Sequence, residues 1–206
     1  MKHQNLAIIT AMFALSACGA PQYSTEKLNS EVISLSKVSA DITVQEYGRY
    51  FNMPTACLRG GCLTGPNHAG VELHGFLSYL IKCNIEEKEY TVFGYKGKQV
   101  RDNIHSLDVV KFMWEFIQKP RSGEVYNLGG GKANSISMLD SFKRIEAISG
   151  KKMNYVYSDK NREGDHICYY SNLDKMKAHF PKWGITKDLN AIFSEIYESW
   201  NERNKK

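Results

Sequence analysis

The sequence predicts an α/β protein. Short apolar runs that end at glycines alternate with longer segments of helical period, an alternation that argues for strands and helices packed in layers. The runs are TACLRGG at 55–61, EYTVFGY at 89–95, GEVYNLGGG at 123–131 and MNYVYS at 153–158. With 206 residues, 42% hydrophobic and 24% charged, the chain can bury one good core and a small second lobe.

Taken in order, Val32, Leu35, Val38, Ile42, Tyr47 and Tyr50 recur at three- to five-residue spacing and predict a helix over 31–51. Pro54 ends it, and 55–61 reads as a buried strand entering a glycine turn. A helix is expected over 72–84 and a strand over 89–95. The next stretch, with Lys96, Lys98 and Arg101, reads as a loop. A helix follows over 106–118, with Ser106 as N-cap and Asp108 in its first turn. Tyr90, Phe93, Phe112, Trp114 and Phe116 are expected in the core. The run at 123–131 is a strand, 135–148 a helix closed by Gly150, and 153–158 a strand. Helices near 171–179 and 187–201 complete the chain.

Residues 1–20 differ in kind. Lys2 and His3 precede an apolar run from Leu6 to Leu15, and Leu15-Ser16-Ala17-Cys18 has the order of a lipoprotein processing site. The run is too short to span a bilayer. It reads as a signal-like leader, the alternative being a buried helix that ends at Cys18. The organisation expected is a leader at 1–20, a linker at 21–30 and a folded domain at 31–206. The leader points to a membrane-anchored lipoprotein.

The net charge of +5 suits an anionic small molecule and gives little support to nucleic acid as a partner. The five cysteines are scattered, form no C-x-x-C pair and read as free thiols. No two of the six histidines have metal-ligand spacing, so no metal is expected. The glycine clusters fail as phosphate loops. In LGGGKANS the last glycine of a G-x-G-x-x-G pattern is Asn134, and the P-loop's first glycine is Tyr126. The arginines offer more. Arg101 lies near Lys96 and Lys98, while Arg162 lies in KNREGDH with Asp165 three residues on. A guanidinium fork matches phosphate oxygens, and a carboxylate accepts from sugar hydroxyls. The same residues could equally make surface salt bridges.

Four ordered motifs now carry a resemblance. FGYKGKQVRDNIHSLDVV resembles F-G-x-G-x-Q-x-R-D-[FY]-I-H-V-x-D of the extended short-chain dehydrogenase/reductases that act on nucleotide sugars. LRGGCLTGP resembles their L-R-x-x-N-x-[YF]-G-P turn, VYNLGGG their Y-N-[IL]-G-x-G, and REGDH their R-x-G-D. The wording is most similar to CDP-paratose (CDP-tyvelose) 2-epimerase-like members. The resemblance implies the C-terminal portion of a Rossmann-type fold with a small substrate-binding lobe, the N-terminal dinucleotide-binding half being absent from this sequence. It implies NAD as cofactor and a CDP- or UDP-hexose as substrate, hence a cytoplasmic setting and a possible homo-oligomer. By the same resemblance, Arg101 and Arg162 meet the diphosphate, Asp165 a ribose, and Thr91 and Phe93 the base. His74 opens the substrate loop, Gly60, Gly61 and Cys62 pass the nicotinamide, and Lys37 is the catalytic lysine that also orients the cofactor. The family's tyrosine four residues before that lysine is Ile33 here, and its usual asparagine is Cys62. The chain alone is therefore expected to lack turnover. A non-catalytic nucleotide-sugar binding module, or a repurposed domain on a lipoprotein tether, are the other functions considered.

Overall fold

The computed structural model describes residues 30–72, 75–162 and 165–205. The leader at 1–20, the linker up to residue 29 and His74 lie outside the described residues.

The chain runs α1 (Ser30–Phe51), β1 (Ala56–Gly60), β2 (Cys62–Thr64), α2 (Phe76–Ile85), β3 (Tyr90–Phe93), β4 (Val100–His105), α3 (Ser106–Gln118), β5 (Glu124–Leu128), β6 (Ser135–Ser137), α4 (Met138–Ser149), β7 (Tyr155–Ser158), β8 (Cys168–Tyr169), α5 (Asp174–His179) and α6 (Leu189–Asn204). Strand β1 pairs in parallel with β5, and β3 in parallel with β7. Strand β4 is the centre of a third sheet, parallel to β2 and β8 and antiparallel to β6. The α/β expectation therefore holds, with most pairings parallel.

The stretch expected as one strand at 55–61 is two. The chain leaves β1, whose partner is β5, and enters β2, whose partner is β4, at Gly61. The Gly61 amide donates to the Leu128 carbonyl at 2.9 Å, which anchors the switch. The segment around Arg101, expected as a loop, is strand β4. Its sequence VRDNIH hides a strand because its polar residues fall on both faces and give no apolar alternation. The N-cap of α3 also moves by one residue. His105, in extended backbone, caps it by accepting from the Leu107 amide through Nδ1 at 3.0 Å, and Ser106 is the first helical residue. The other helices follow their local chemistry. Ser137 caps α4, Gly150 closes it at φ 71°, and Asp188 caps α6.

Two clusters form the interior. In one, Leu80, Ile81, Ile145, Ile192, Phe193 and Ile196 are fully buried where α2, α4 and α6 meet β3. In the other, Phe112 of α3 packs edge-on against Tyr126, Phe180 and Trp183, with centroids 5.2–5.5 Å apart. Trp114, expected in the core, is 60% exposed, because it lies half a turn from Phe112 on α3. Asp108, fully buried in the first turn of α3, accepts from the Thr186 and Lys187 amides at 2.9 and 3.0 Å and from the Thr186 hydroxyl. This clasp ties the segment before α6 to the helix that follows β4.

Replacing Asp108 with alanine removes the buried acceptor of the Thr186 and Lys187 amides and of the Thr186 hydroxyl. The expected loss is about 3 kcal/mol of stability, read from the urea-unfolding midpoint. An unchanged midpoint would show that the clasp does not hold the C-terminal segment.

Candidate functional site

The cleft is built on β4. Side chains alternate along a strand, so Gln99, Arg101 and Asn103 share one face and all three line a cleft of about 600 Å³. Asp102 and Ile104 point the other way and are fully buried. The Asp102 carboxylate accepts through Oδ2 from the amides of Gly131 and Ser171, at 3.1 and 3.0 Å. A Cβ added at Gly61 would sit 2.5 Å from Asp102 Oδ1, and one at Gly129 2.2 Å from Oδ2. The glycines at these strand ends therefore make room for a buried carboxylate.

Two charged segments close the mouth. Arg101 forms an ion pair with Asp165 through Nη2 and donates to the Val100 carbonyl through Nη1 at 2.7 Å. The Arg162 guanidinium lies 5.0 Å from the centroid of Phe93 and donates to the Glu72 carbonyl at 3.2 Å. The Tyr95 hydroxyl donates to the Asp165 carbonyl at 3.3 Å. Arg101 and Arg162 are matched in number by Glu72 and Asp165 among the lining residues. Tyr79 and Tyr90 also line the cleft. Burial pushes the Tyr90 phenol up to about 12 and raises that of Tyr79, so both hold their protons at neutral pH.

Of the residues singled out in the sequence, Gly61, Cys62, Phe93, Arg101, Arg162 and Asp165 line this one cleft. Arg162 and Asp165 are far from Arg101 in sequence, and the fold brings them together. Gly60 closes β1 opposite Leu128, Thr91 pairs with Val156 on β3, and Lys37 is exposed on α1; none of these three lines the cleft. Sequence reasoning passed over Thr64, Gln99 and Asn103. Reading 99–105 as a strand would have placed Gln99 and Asn103 beside Arg101 through the period of two.

The model of the NAD dependent epimerase/dehydratase family matches residues 11–129. A curated relative, the uncharacterized UDP-glucose epimerase YtcB of Bacillus subtilis (strain 168), is 30% identical over 173 residues, 80% of this chain and 52% of that protein. CDP-paratose 2-epimerase of Salmonella typhi is 26% identical over 148 residues, 68% of this chain and 43% of that protein. The chain thus spans about half the length of the curated relatives it matches. Among solved structures, a UDP-glucuronic acid 4-epimerase from Bacillus cereus, in complex with a UDP-4-deoxy-4-fluoro-glucuronic acid and NAD, matches with TM-score 0.72 at 25% identity, over 91% of this chain and 58% of that one. A dTDP-glucose 4,6-dehydratase from Bacillus anthracis, in complex with NAD, matches with TM-score 0.69 at 26% identity, over 89% of this chain and 58% of that one. The fold is accordingly the Rossmann-like α/β fold.

A dinucleotide needs a glycine-rich turn at a helix N-terminus beneath its pyrophosphate. Among the described residues the glycine runs are already filled. Gly61 and Gly129 abut Asp102, and a Cβ at Gly130 would lie 2.1 Å from the Asn103 carbonyl oxygen. Gly61 and Cys62 offer a wall of the cleft, and the described residues offer no pyrophosphate cradle. They do not fit the whole cofactor.

Tyr90 gives the cleft a pH signature. Its folded value near 12 stands above the unfolded value near 10, so between the two the unfolded chain releases a proton that the folded chain keeps. Its contribution to stability is full below pH 10 and falls as pH rises toward 12. The urea midpoint should drop across that window, and less steeply in Tyr90→Phe. Equal slopes would show that Tyr90 ionises normally in the folded state.

Proposed function

The chain belongs to the NAD dependent epimerase/dehydratase family, and from that premise we propose that it supplies the nucleotide-sugar-binding part of such an enzyme. The observation that carries the reading is the placement of Arg101, Arg162, Phe93 and Asp165 around one cleft. In the proposal, Arg101 takes the diphosphate of the substrate, and Asp165, released from Arg101, accepts from the ribose hydroxyls. Arg162, stacked on Phe93, closes over the nucleoside. In the exchange one ion pair at Arg101 is replaced by another while the displaced carboxylate finds new donors, and Arg162 offsets part of the negative charge that the diphosphate adds. Exposing either charge alone in a partly closed cleft would cost more.

We propose a CDP-hexose as the preferred ligand, supported by the motif wording and the identity to CDP-paratose 2-epimerase, with UDP-hexoses as the weaker class. NAD is the cofactor proposed for the complete reaction, and a cytoplasmic setting follows from where both ligands are made. Turnover by this chain alone is not expected. Lys37 is exposed on α1 and Ile33 occupies the place of a proton-transferring tyrosine. Self-association through α1 is part of the proposal, supported by its exposed Leu35, Val38 and Ile42 at helical spacing.

Thermal unfolding of the full chain with CDP- and UDP-hexoses tests the reading. A melting temperature that rises with nucleotide-sugar concentration is expected. Arg101→Ala should weaken binding by roughly 1.5–3 kcal/mol, the cost of losing hydrogen bonds to a charged group. Undiminished affinity in the variant, or epimer formation by the wild-type chain with added NAD, would contradict it.

A further inference from the structure

The cleft holds three buried polar atoms that find no hydrogen-bond partner among the described residues: Thr64 Oγ1, Gln99 Oε1 and Asn103 Oδ1. The three residues are at most 6% exposed. A buried polar group left unpaired is uncommon and costly. Three on the wall of one cleft mark where a ligand's polar groups belong.

Their chemistry is specific. The Gln99 amide nitrogen donates to the Phe93 carbonyl at 3.1 Å, and that of Asn103 to the carbonyls of Arg101 and Asn134 at 3.2 and 3.5 Å. Each side-chain NH2 is thus committed to backbone acceptors, which fixes the amide's orientation and leaves its oxygen free. The free groups are two carbonyl oxygens and a hydroxyl, and they seek donors. Arg101, between the amides, is paired with Asp165 and is the cation that the reading above gives to the diphosphate. Two residues along a strand span about 6.6 Å, so an acceptor lies one such step to either side of the guanidinium's strand position. A ligand that fits carries hydroxyls on both sides of its anionic centre. On the β2 side the acceptor is Asn103, whose Cα partner is Cys62, and Thr64 is two residue pairs further along the same two strands, opposite His105.

We propose that Asn103 and Thr64 form the sugar subsite of the cleft and determine which hexose it takes. Asn103 Oδ1 accepts a hydrogen bond from a ring hydroxyl of the sugar next to the diphosphate, and the Thr64 hydroxyl pairs with a second. Gln99 serves the nucleoside side, near Phe93. The inference rests on the nucleotide-sugar reading above and adds to it the end of the cleft at which the sugar lies.

The test is calorimetric titration of the full chain with CDP and with CDP-glucose. Thr64→Val is isosteric and removes a hydroxyl that has no partner among the described residues, so this variant is expected to fold; Asn103→Leu is the second variant. Both should bind CDP within about twofold of wild type and CDP-glucose about tenfold more weakly, the size of one neutral hydrogen bond or slightly more. CDP-glucose affinity unchanged in Thr64→Val and Asn103→Leu would overturn the sugar subsite while leaving the nucleotide reading intact. Equal weakening of CDP and CDP-glucose would overturn it as well, because the residues would then serve the nucleotide. Failure of wild type to bind either ligand would overturn both readings.

Discussion

A carboxylate with no exposed surface holds the cleft together. Asp102 is where three stretches of chain converge: the loop after β5 through the Gly131 amide, the segment before α5 through the Ser171 amide, and the switch between β1 and β2 through the space left by Gly61. A buried carboxyl group is costly unless it is hydrogen-bonded, so the two amides on its Oδ2 hold this residue, and with it the register of its strand, in place. With Asp102 turned inward, the pleat leaves Arg101 and Asn103 no choice but the opposite face. The ligand-facing residues of β4 are thus set by the residue between them that faces away.

The mouth of the cleft follows a different rule. There the groups are only partly buried and are paired with one another, Arg101 with Asp165 and Arg162 with the face of Phe93. Such pairs hold the loop carrying Arg162 and Asp165 near the strand that carries Arg101, and they keep two cations from repelling each other. They also set a threshold. In the proposed function, a diphosphate with hydroxyls nearby would satisfy both partners of the broken pair, which a simple anion would not.

The sequence disclosed part of this. The α/β class was legible because helices such as α4 carry their own caps, Ser137 and Gly150, and because β3 and β5 are apolar runs bounded by glycine or charge. The motifs around Gly61, Arg101 and Arg162 were legible as words, and six of the residues singled out in them line one cleft. Strand β4 was not legible, since a strand polar on one face and carrying a buried aspartate on the other shows no period. For the same reason Gln99 and Asn103 went unnoticed. Trp114 misled because a large aromatic on an amphipathic helix usually faces inward, and here the inward position is Phe112. The glycine clusters invited a phosphate-loop reading and instead clear space for Asp102 and the Asn103 backbone, a long-range constraint that no local pattern encodes.

The most direct measurement is a crystal structure of the full chain with a CDP-hexose. The account predicts the diphosphate on Arg101, the Arg101–Asp165 pair opened, the carboxylate on the ribose and the sugar against Asn103 and Thr64. A nucleotide bound elsewhere, or one seated here with the Arg101–Asp165 pair intact, would contradict it.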